Sequence, residues 1–534
     1  MGGIHLMNRT AARLLIAALL VSPILALAEE PVDLEMVSRI RDEGFRHSQV
    51  LETVRHLTEE IGPRVTGSPG MKAANEWTRQ ELASWGLQNA HLEAFPFGRG
   101  WSYSRGLVQV DQPFERTLLA IPKAWTPGTE NGPVRGSLMI VSVTEEKDLE
   151  QYRGKVAGKI LLIGELRDLV AKPRKVDPRR YTPEALDELA LYSGPDKRDP
   201  VTQEKEFIQR IELRTAMNRF FAAEKALATI DNSSSDWGMI RATRGGSQNP
   251  ADPQGIPSVM ISAEEYNRLH RLVSAGREVQ VEVDVQARFY TDDLNAYNTI
   301  AEIPGTDRKG EIVLAGAHLD SWHGGTGATD NAAGCAVMME AVRILEALGV
   351  KPRRTIRIAL WSGEEEGLFG SIAYVKDHLG SRPKPKDPDL LKLPAYVWPS
   401  STGPFQAKPE QAKLSAYFNM DNGGGKVRGI YAQENAAVVP LFEAWLGPLH
   451  DLGATTVTMQ NTGSTDHIPF DAAGIPAFQF IQDELDYSGR THHSNLDVYD
   501  HLEEDDLKQA SVVVATFLYD AAMRDEKLPR KHLD

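Results

Sequence analysis

Residues 311–362 read EIVLAGAHLDSWHGGTGATDNAAGCAVMMEAVRILEALGVKPRRTIRIALWS. EIVLAGAHLD is a short apolar run of strand length. AAGCAVMMEAVRILEALG repeats its apolar residues at helical spacing, and TIRIALWS is a second strand. Strands this apolar, separated by a helix, need cover on both faces. They predict an α/β domain built on a mixed, largely parallel sheet sandwiched by helices.

The alternation continues on both sides. TIAEIPG (299–305) reads as a strand ahead of this stretch, and GLFGSIAYVKDHLG (367–380) as a helix after it. Strands LSAYFNMD (414–421) and AFQFIQD (477–483) flank the helix VPLFEAWLGPLHDLG (439–453), and DDLKQASVVVATFLYDAAM (505–523) closes the chain as a helix. SRPKPKDPDLLKLPAYVWPSSTGPFQAKPE (381–410) is a long connection rich in Pro and Lys, of the kind that is functional or disordered.

Toward the N-terminus, residues 33–90 are helical by pattern, with the turn PRVTGSPG before the helix MKAANEWTRQELASWGL (71–87). QNAHLEAFPFGRG then turns extended. Between about 130 and 290, GSLMIVSV, GKILLIGE, IPSVMIS and VQVEVDVQARFY are strand-like. Residues 205–230 and AEEYNRLHRLVSAG (263–276) are helical, and NSSSDWGMIRATRGGSQNPADPQG (232–255) is a loop.

The 534 residues suffice for two or three domains. A net charge of −15 argues against nucleic acid or an anionic membrane surface as the main partner. Arg9 and Arg13 precede the apolar run LLIAALLVSPILALA (14–28), whose Ala26 and Ala28 make an A-x-A-like site. The run is short for a membrane span and none like it follows, so residues 1–28 are expected to be a cleaved secretory signal. The alternatives are an uncleaved anchor and a start at Met7. Removing 1–28 leaves 57 basic against 74 acidic residues, about −17. The single cysteine, Cys335, excludes an intrachain disulfide and a Cys-rich zinc site, and its apolar setting suits a buried small residue better than a nucleophile.

Histidines and acids recur where the strands end. His318 closes one strand, with Asp320 two residues on, and Asp330 precedes the helix. Glu364, Glu365 and Glu366 follow TIRIALWSG, Asp421 ends LSAYFNMD, and His493 lies beyond AFQFIQD. Each has an ordinary reading by itself. His318 suits a hydrogen-bonded histidine, Asp330 an N-cap, Asp421 a turn starter, Asp320 a loop acid and the glutamates a solvated turn. Together they bring five segments to one edge of one sheet, the edge where α/β ligands bind. Two imidazoles and three carboxylates suit a pair of Zn2+ ions with a bridging carboxylate. The H-x-D spacing of His318 and Asp320 suits a carboxylate that takes the second imidazole N–H.

AGAHLDSW, GATDNAAG, WSGEEEGLFGS, NMDNGG and HHSNLD resemble, in order, the five metal-site motifs of the di-zinc aminopeptidase and glutamate-carboxypeptidase family, across roughly 295–520. TEEIGPRVTGSPG is similar to that family's N-terminal segment. Residues 130–290 resemble a protease-associated insert, and TGSTDHIPFDAAGIPAFQF resembles the plasma glutamate carboxypeptidase branch. The resemblance implies the zinc exopeptidase fold with a β-rich insert. Its expected divisions are 29–129 for the N-terminal part of the peptidase domain, 130–292 for the insert and 293–534 for the catalytic part.

It also implies that His318, Asp330 and Asp421 hold one zinc and that Asp330, Glu365 and His493 hold the other, with Asp330 the bridge. Glu364 would be the general base, Asp320 a catalytic partner of His318, and Glu366 a variable turn acid. A cis peptide is expected between Asp330 and Asn331. His492 stands where the folate-hydrolase branch has a tyrosine and is a candidate oxyanion donor. Arg490 and Tyr487 are candidate pocket residues, with a surface loop the equal alternative.

The implied function is a secreted or periplasmic zinc exopeptidase cleaving short peptides, as aminopeptidase or dipeptidase. The alternatives are a carboxypeptidase-type hydrolase of N-acylated or γ-linked amino acids and a non-catalytic peptide-binding homologue. The expected partner is a short peptide or amino-acid conjugate, and homodimerisation is left open.

Overall fold

The structure is a computed structural model describing residues 30–169, 179–194 and 199–531. The expected signal segment, 1–28, lies outside them. Among the described residues no helix is long and apolar enough to cross a membrane.

The N-terminal region forms helices Leu34–Arg46 and Val50–Arg55, the second running on into a widened turn, His56–Ile61. The helix expected over 71–87 runs from Pro69 to Ser84. The Ser68 hydroxyl accepts from the Met71 amide, and Pro69, which lacks an N–H, occupies the first turn. Strand β1 (Gln88–Pro96) follows.

The chain then builds β2 (Gly100–Gln112), β3 (Arg116–Leu119), β4 (Ile121–Pro122), β5 (Val134–Val141), β6 (Lys159–Ile163), β7 (Ala228–Asn232), β8 (Ser258–Ile261) and β9 (Gln280–Tyr290). These form a sheet of their own in the order β3-β2-β9-β5-β6-β7-β8-β4. The sheet starts at Gly100, ahead of the expected division at 130, because β2 pairs along its whole length with β9. The helix expected over 205–230 runs instead from Pro200 to Ala223. Lys225 takes a left-handed conformation (φ 59°), and the apolar residues after it become β7, buried between β6 and β8.

The rest of the chain builds β10 (Asn295–Ile303), β11 (Arg308–His318), β12 (Arg354–Trp361), β13 (Gly380–Ser381), β14 (Gln406–Ala407), β15 (Leu414–Asn419), β16 (Val427–Tyr431), β17 (Thr456–Thr458) and β18 (Ala477–Gln482); β13 and β14 pair only with each other, and the others join β1 in the catalytic sheet. Leaving out the short pair, its order is β1-β10-β12-β11-β15-β18-β16-β17. β12, β11, β15 and β18 are parallel neighbours, β1 and β10 run antiparallel to theirs, and β16 pairs antiparallel with β18 and parallel with β17. The sheet is therefore mixed with a parallel centre, as the continuous apolar strands require.

β11 is the axis of this arrangement. Gly316 faces Ala359 of β12 and Asn419 of β15, and a Cβ there would meet the Tyr417 hydroxyl at 2.7 Å and the Trp361 indole nitrogen at 2.8 Å. Only glycine fits between these two side chains, which hydrogen-bond to each other. Helix Ala333–Ala347 covers one face, buried from Ala333 to Leu345, with Glu504–Met523 and Leu34–Arg46 against it. The sheet edge is tied by a charge cluster. His378 bonds Glu93 of β1 at 2.8 Å and faces Glu410 at 3.3 Å, and Arg357 of β12 pairs with Glu302 and Glu410.

Hydrogen bonds to Glu410 and Glu93 raise the His378 pKa to about 9. A raised histidine stabilises the fold fully below its unfolded pKa of roughly 6.5 and loses that contribution as pH rises through 9. His378→Gln is therefore expected to lower Tm at pH 6, with the deficit against the native protein closing by pH 10 in thermal melts.

Candidate metal centre

The C-terminal ends of β11, β12, β15 and β18 lie on one edge, and each delivers a titratable side chain there. His318 is the last residue of β11. Glu364 and Glu365 follow the turn after β12, Asp421 lies two residues past β15, and His493 follows the turn Tyr487–Thr491 beyond β18. Asp330 arrives on the segment Ala328–Ala332 that enters helix Ala333–Ala347, and its bond to Asn331 is cis, as expected. It caps no helix.

Two cages result, and they share Asp330. His318 Nε2 lies 3.1 Å from Asp421 Oδ1 and 3.2 Å from Asp330 Oδ1. His493 Nε2 lies 3.3 Å from Asp330 Oδ2 and 3.0 Å from Glu365 Oε2. The two oxygens of one carboxylate thus face two different imidazoles. Ligands held about 2.0–2.1 Å from a tetrahedral zinc sit roughly 3.3 Å from one another. Glu364 lies beside His318 and Asp421, and His492 beside Asp330 and His493, within reach of the same two positions.

The donor set fits metal cations on a second count. Asp330 Oδ2 and Glu365 Oε1 are buried with no hydrogen-bond partner. Burial, together with the Asp330 charge, pushes the Glu365 carboxyl well up. For Glu364, burial and Asp421 outweigh the opposing pull of His318. Burial disfavours charge on Asp330 too, yet His318 and His493 hold its carboxyl well below the usual range. Burial also lowers His493, and it lowers His492 to about 4, so both imidazoles are neutral donors near neutral pH. So many carboxylates packed together out of water call for cations.

Asp320 acts differently from the sequence expectation. His318 Nδ1 faces the Asp320 main-chain carbonyl at 3.0 Å, with the carboxylate farther off at 3.7 Å. The carboxylate instead accepts the main-chain N–H groups of Glu364, at 3.3 Å, and Glu365, at 3.2 Å. One residue therefore orients both the imidazole and the glutamate turn. Glu366 also departs from expectation. It is 3% exposed, its Oε2 has no partner, and burial raises its pKa to about 8. It is a buried acid because the turn folds under the protein.

Tyr487 lines the cleft, with its ring 5.0 Å from that of His492, which stacks at 3.7 Å on His493. Arg490 does not join them: it is exposed and lies 3.8 Å from Asp486. Cys335 is buried, as expected, with its thiol on the His318 carbonyl.

Three contributors went unmarked in the sequence. Asp497, fully inside, accepts from the Thr329 amide at 2.6 Å, the Thr329 hydroxyl at 2.7 Å and the Asp330 amide at 3.2 Å. Arg64 donates to the carbonyls of Leu57, Gly62, Leu319, Thr326 and Gly327, tying the loop before Asp330 to the end of β11. Asp466 sits behind the site on the Ser371 hydroxyl, raised to about 8 by burial. Asp497 and Asp466 stand in the quoted motifs HHSNLD and TGSTDHIPF, but no spacing rule separates a buried clamp from a loop acid.

The site opens into a cleft of about 980 Å³. Its walls come from the catalytic unit, from the long connection (Leu393, Pro394, Tyr396) and from the second sheet's segments (Phe207, Ile208, Arg244). Arg180 fastens that unit down, bonding Asp483 at 3.0 Å and Asp506 at 2.7 Å.

A mixed α/β sheet with paired His and carboxylate cages at its strand ends defines a hydrolase of the metallopeptidase class, and comparison with known proteins agrees. Residues 298–518 match the model of peptidase family M28. It is a metallopeptidase. Carboxypeptidase Q of Mus musculus is 24% identical over 487 residues, covering 91% of this chain and 88% of that protein. The fold is shared with a peptidase M28 precursor from Shewanella amazonensis, with a TM-score of 0.65 and 24% identity over 93% of this chain and 99% of that one. It is shared also with a zinc aminopeptidase from Bacillus subtilis, with a TM-score of 0.56 and 21% identity over 89% and 95% of the two chains.

Asp497→Asn removes the charge that clamps Thr329 and Asp330 while keeping the side chain's volume. It is expected to weaken metal binding by roughly ten- to hundredfold. Competition with a chromogenic chelator measures this, and an unchanged affinity would show that the clamp does not orient Asp330.

Proposed function

We propose that the chain is a two-zinc exopeptidase of short peptides, exported from the cytoplasm, with Glu364 as general base. The observation that carries the reading is the division of Asp330 between two imidazole-bearing cages at ligand spacing. His318, Asp330 and Asp421 would hold one ion, and Asp330, Glu365 and His493 the other. Zinc is the ion of the B. subtilis aminopeptidase with this fold. Bound here it supplies Lewis acidity, which polarises a carbonyl and acidifies water.

The chain's own groups do the rest. Glu364, on the cleft wall beside Asp421, accepts the proton of the attacking water and delivers it to the leaving amine. Asp320 keeps Glu364 and Glu365 apart in direction by holding both of their amides. The His318 ring is held by the Asp320 carbonyl, which takes the proton on Nδ1 and leaves Nε2 as the donor. His492, beside Asp330, is placed to donate to a developing oxyanion. The cleft's cover by the long connection and by helix Pro200–Ala223 favours short substrates over folded proteins.

Similarity to carboxypeptidase Q supports a carboxypeptidase-type action on the same bond. Dipeptides with free and with N-acetylated amino termini separate the two, since an aminopeptidase spares the acetylated set.

Glu364→Ala should retain bound zinc and lose turnover by about 10³-fold or more. Glu365→Ala should lose turnover and also one zinc equivalent by elemental analysis. Glu366→Ala opens a buried site and should lower Tm by several degrees, with a smaller loss of turnover than at Glu364. Hydrolysis that survives exhaustive chelation would reject the metal-dependent mechanism.

A further inference from the structure

The loop after β7 connects the second sheet to the metal centre by main-chain bonds. The Ala242 amide donates to the His493 carbonyl at 2.6 Å, the Asn495 amide to the Ile240 carbonyl at 3.0 Å, and Arg241 pairs with Ser494 as an antiparallel bridge. Two residues further on, Arg244 enters the cleft wall. Its position relative to the histidines is therefore set by backbone, not by a mobile surface contact.

Arg244 is 8% exposed, and its guanidinium lies 5.3 Å over the Trp125 ring. Its side chain makes one hydrogen bond, a long one of 3.4 Å from Nη2 to the Glu366 carbonyl. Among the described residues no carboxylate oxygen lies within ion-pairing distance of it. A guanidinium carries five N–H donors, and leaving them unmet out of water is costly.

The chain's other buried arginines show what a structural role looks like here. Arg64 spreads its donors over five carbonyls. Arg354 pairs with Glu311 and bonds three carbonyls. Arg343 is held by Glu340 and Glu43. Arg244 has nothing comparable.

Arg214, on helix Pro200–Ala223, stands beside it. Burial and the Arg244 charge together push the Arg214 guanidinium down to about 10, and the acid that opposes them, Asp231, is engaged by Lys123 at 2.8 Å. The charge that acts on Arg244 is the buried Glu366 carboxyl, beyond ion-pairing distance, so two cations without a direct ion pair adjoin one side of a cleft whose other side carries the metal-binding carboxylates.

We propose that Arg244 is the cleft's carboxylate receptor, binding a carboxylate of the peptide substrate one to two residues from the bond that is cut. The spacing follows from the chain. Arg244 bonds the carbonyl of Glu366, the residue after Glu365, and an extended residue spans about 3.3–3.6 Å. A carboxylate on Arg244 therefore places the next carbonyl or two at the metal edge. The carboxylate is either the free C-terminus of a dipeptide or tripeptide or an acidic side chain. The planar fork of arginine suits both, by two parallel N–H···O bonds. Arg214 adds field without contact. The inference rests on the peptidase reading of the same site.

The test uses the zinc-loaded full chain and three substrates: a neutral dipeptide with a free C-terminus, its C-terminal amide, and the amide of a dipeptide ending in glutamate. The native protein should prefer at least one carboxylate-bearing substrate over the neutral amide by about a hundredfold in kcat/KM, mainly through KM. The free acid and the glutamate amide tell the two carboxylate sources apart. In Arg244→Met the preference should fall to about threefold or less, while Arg244→Lys, with charge but no fork, should retain about tenfold. Arg244→Lys also carries the comparison if Arg244→Met does not fold. A native protein indifferent to the carboxylate, or a preference that survives in Arg244→Met, overturns the assignment. Failure to hydrolyse any of the three would instead reject the peptidase reading beneath it.

Discussion

The carboxylate of Asp330 is the point on which the site depends. It keeps its negative charge where water hardly reaches, because an imidazole faces each of its oxygens. Asp497 holds its main chain from one side, and Arg64 fixes the approaching loop through the carbonyls of Thr326 and Gly327 from the other. Without those restraints an isolated buried carboxylate would protonate or turn toward solvent. With them, its two oxygens point in different directions, one toward His318 and the other toward His493.

The edge of the sheet is the second constraint. Four parallel strands end together, so residues more than 100 positions apart in the chain meet within hydrogen-bond distance. The strands meet because β11 is narrow at Gly316, where Trp361 and Tyr417 close over it from the neighbouring strands. Behind them a layer of buried polar groups, Asn419, Gln479, Asp466 and Ser371, carries the hydrogen bonding of the site into the core. The unit formed by β2–β9 then completes the site from outside. Its loop at 240–244 contacts the histidine segment and the glutamate turn alike, so it is part of the active cleft's wall and not a remote cover.

Much of this was legible before any coordinates. The strand–helix–strand reading of 311–362 held because apolar periodicity reports burial, and a strand buried on both faces has few alternatives. The positions of His318, Asp330, Glu364, Glu365, Asp421 and His493 at one edge followed from where those strands stop. The errors are instructive. A helix was carried too far, to residue 230, because nothing in the composition of KALATI shows that Lys225 turns left-handed and frees a strand. Glu366 reads as a solvated turn acid in the sequence, because three adjacent glutamates look alike until the turn is folded, yet it is buried. For Arg490 the sequence leaves pocket and surface loop equally open, and its side chain lies in solvent.

The sequence by itself determined the class of fold, the set of His, Asp and Glu side chains that end the strands and the edge where they gather. These depend on local periodicity and on which residue types end each strand, and both are written in short stretches of chain. Tertiary structure alone decided which acids lose their water, that Asp320 uses its carbonyl on the imidazole and its carboxylate on two amides, and that Arg244 stands in the cleft wall with no carboxylate within ion-pairing distance among the described residues. Solvation and pairing are properties of surroundings assembled from distant segments, so no local pattern records them.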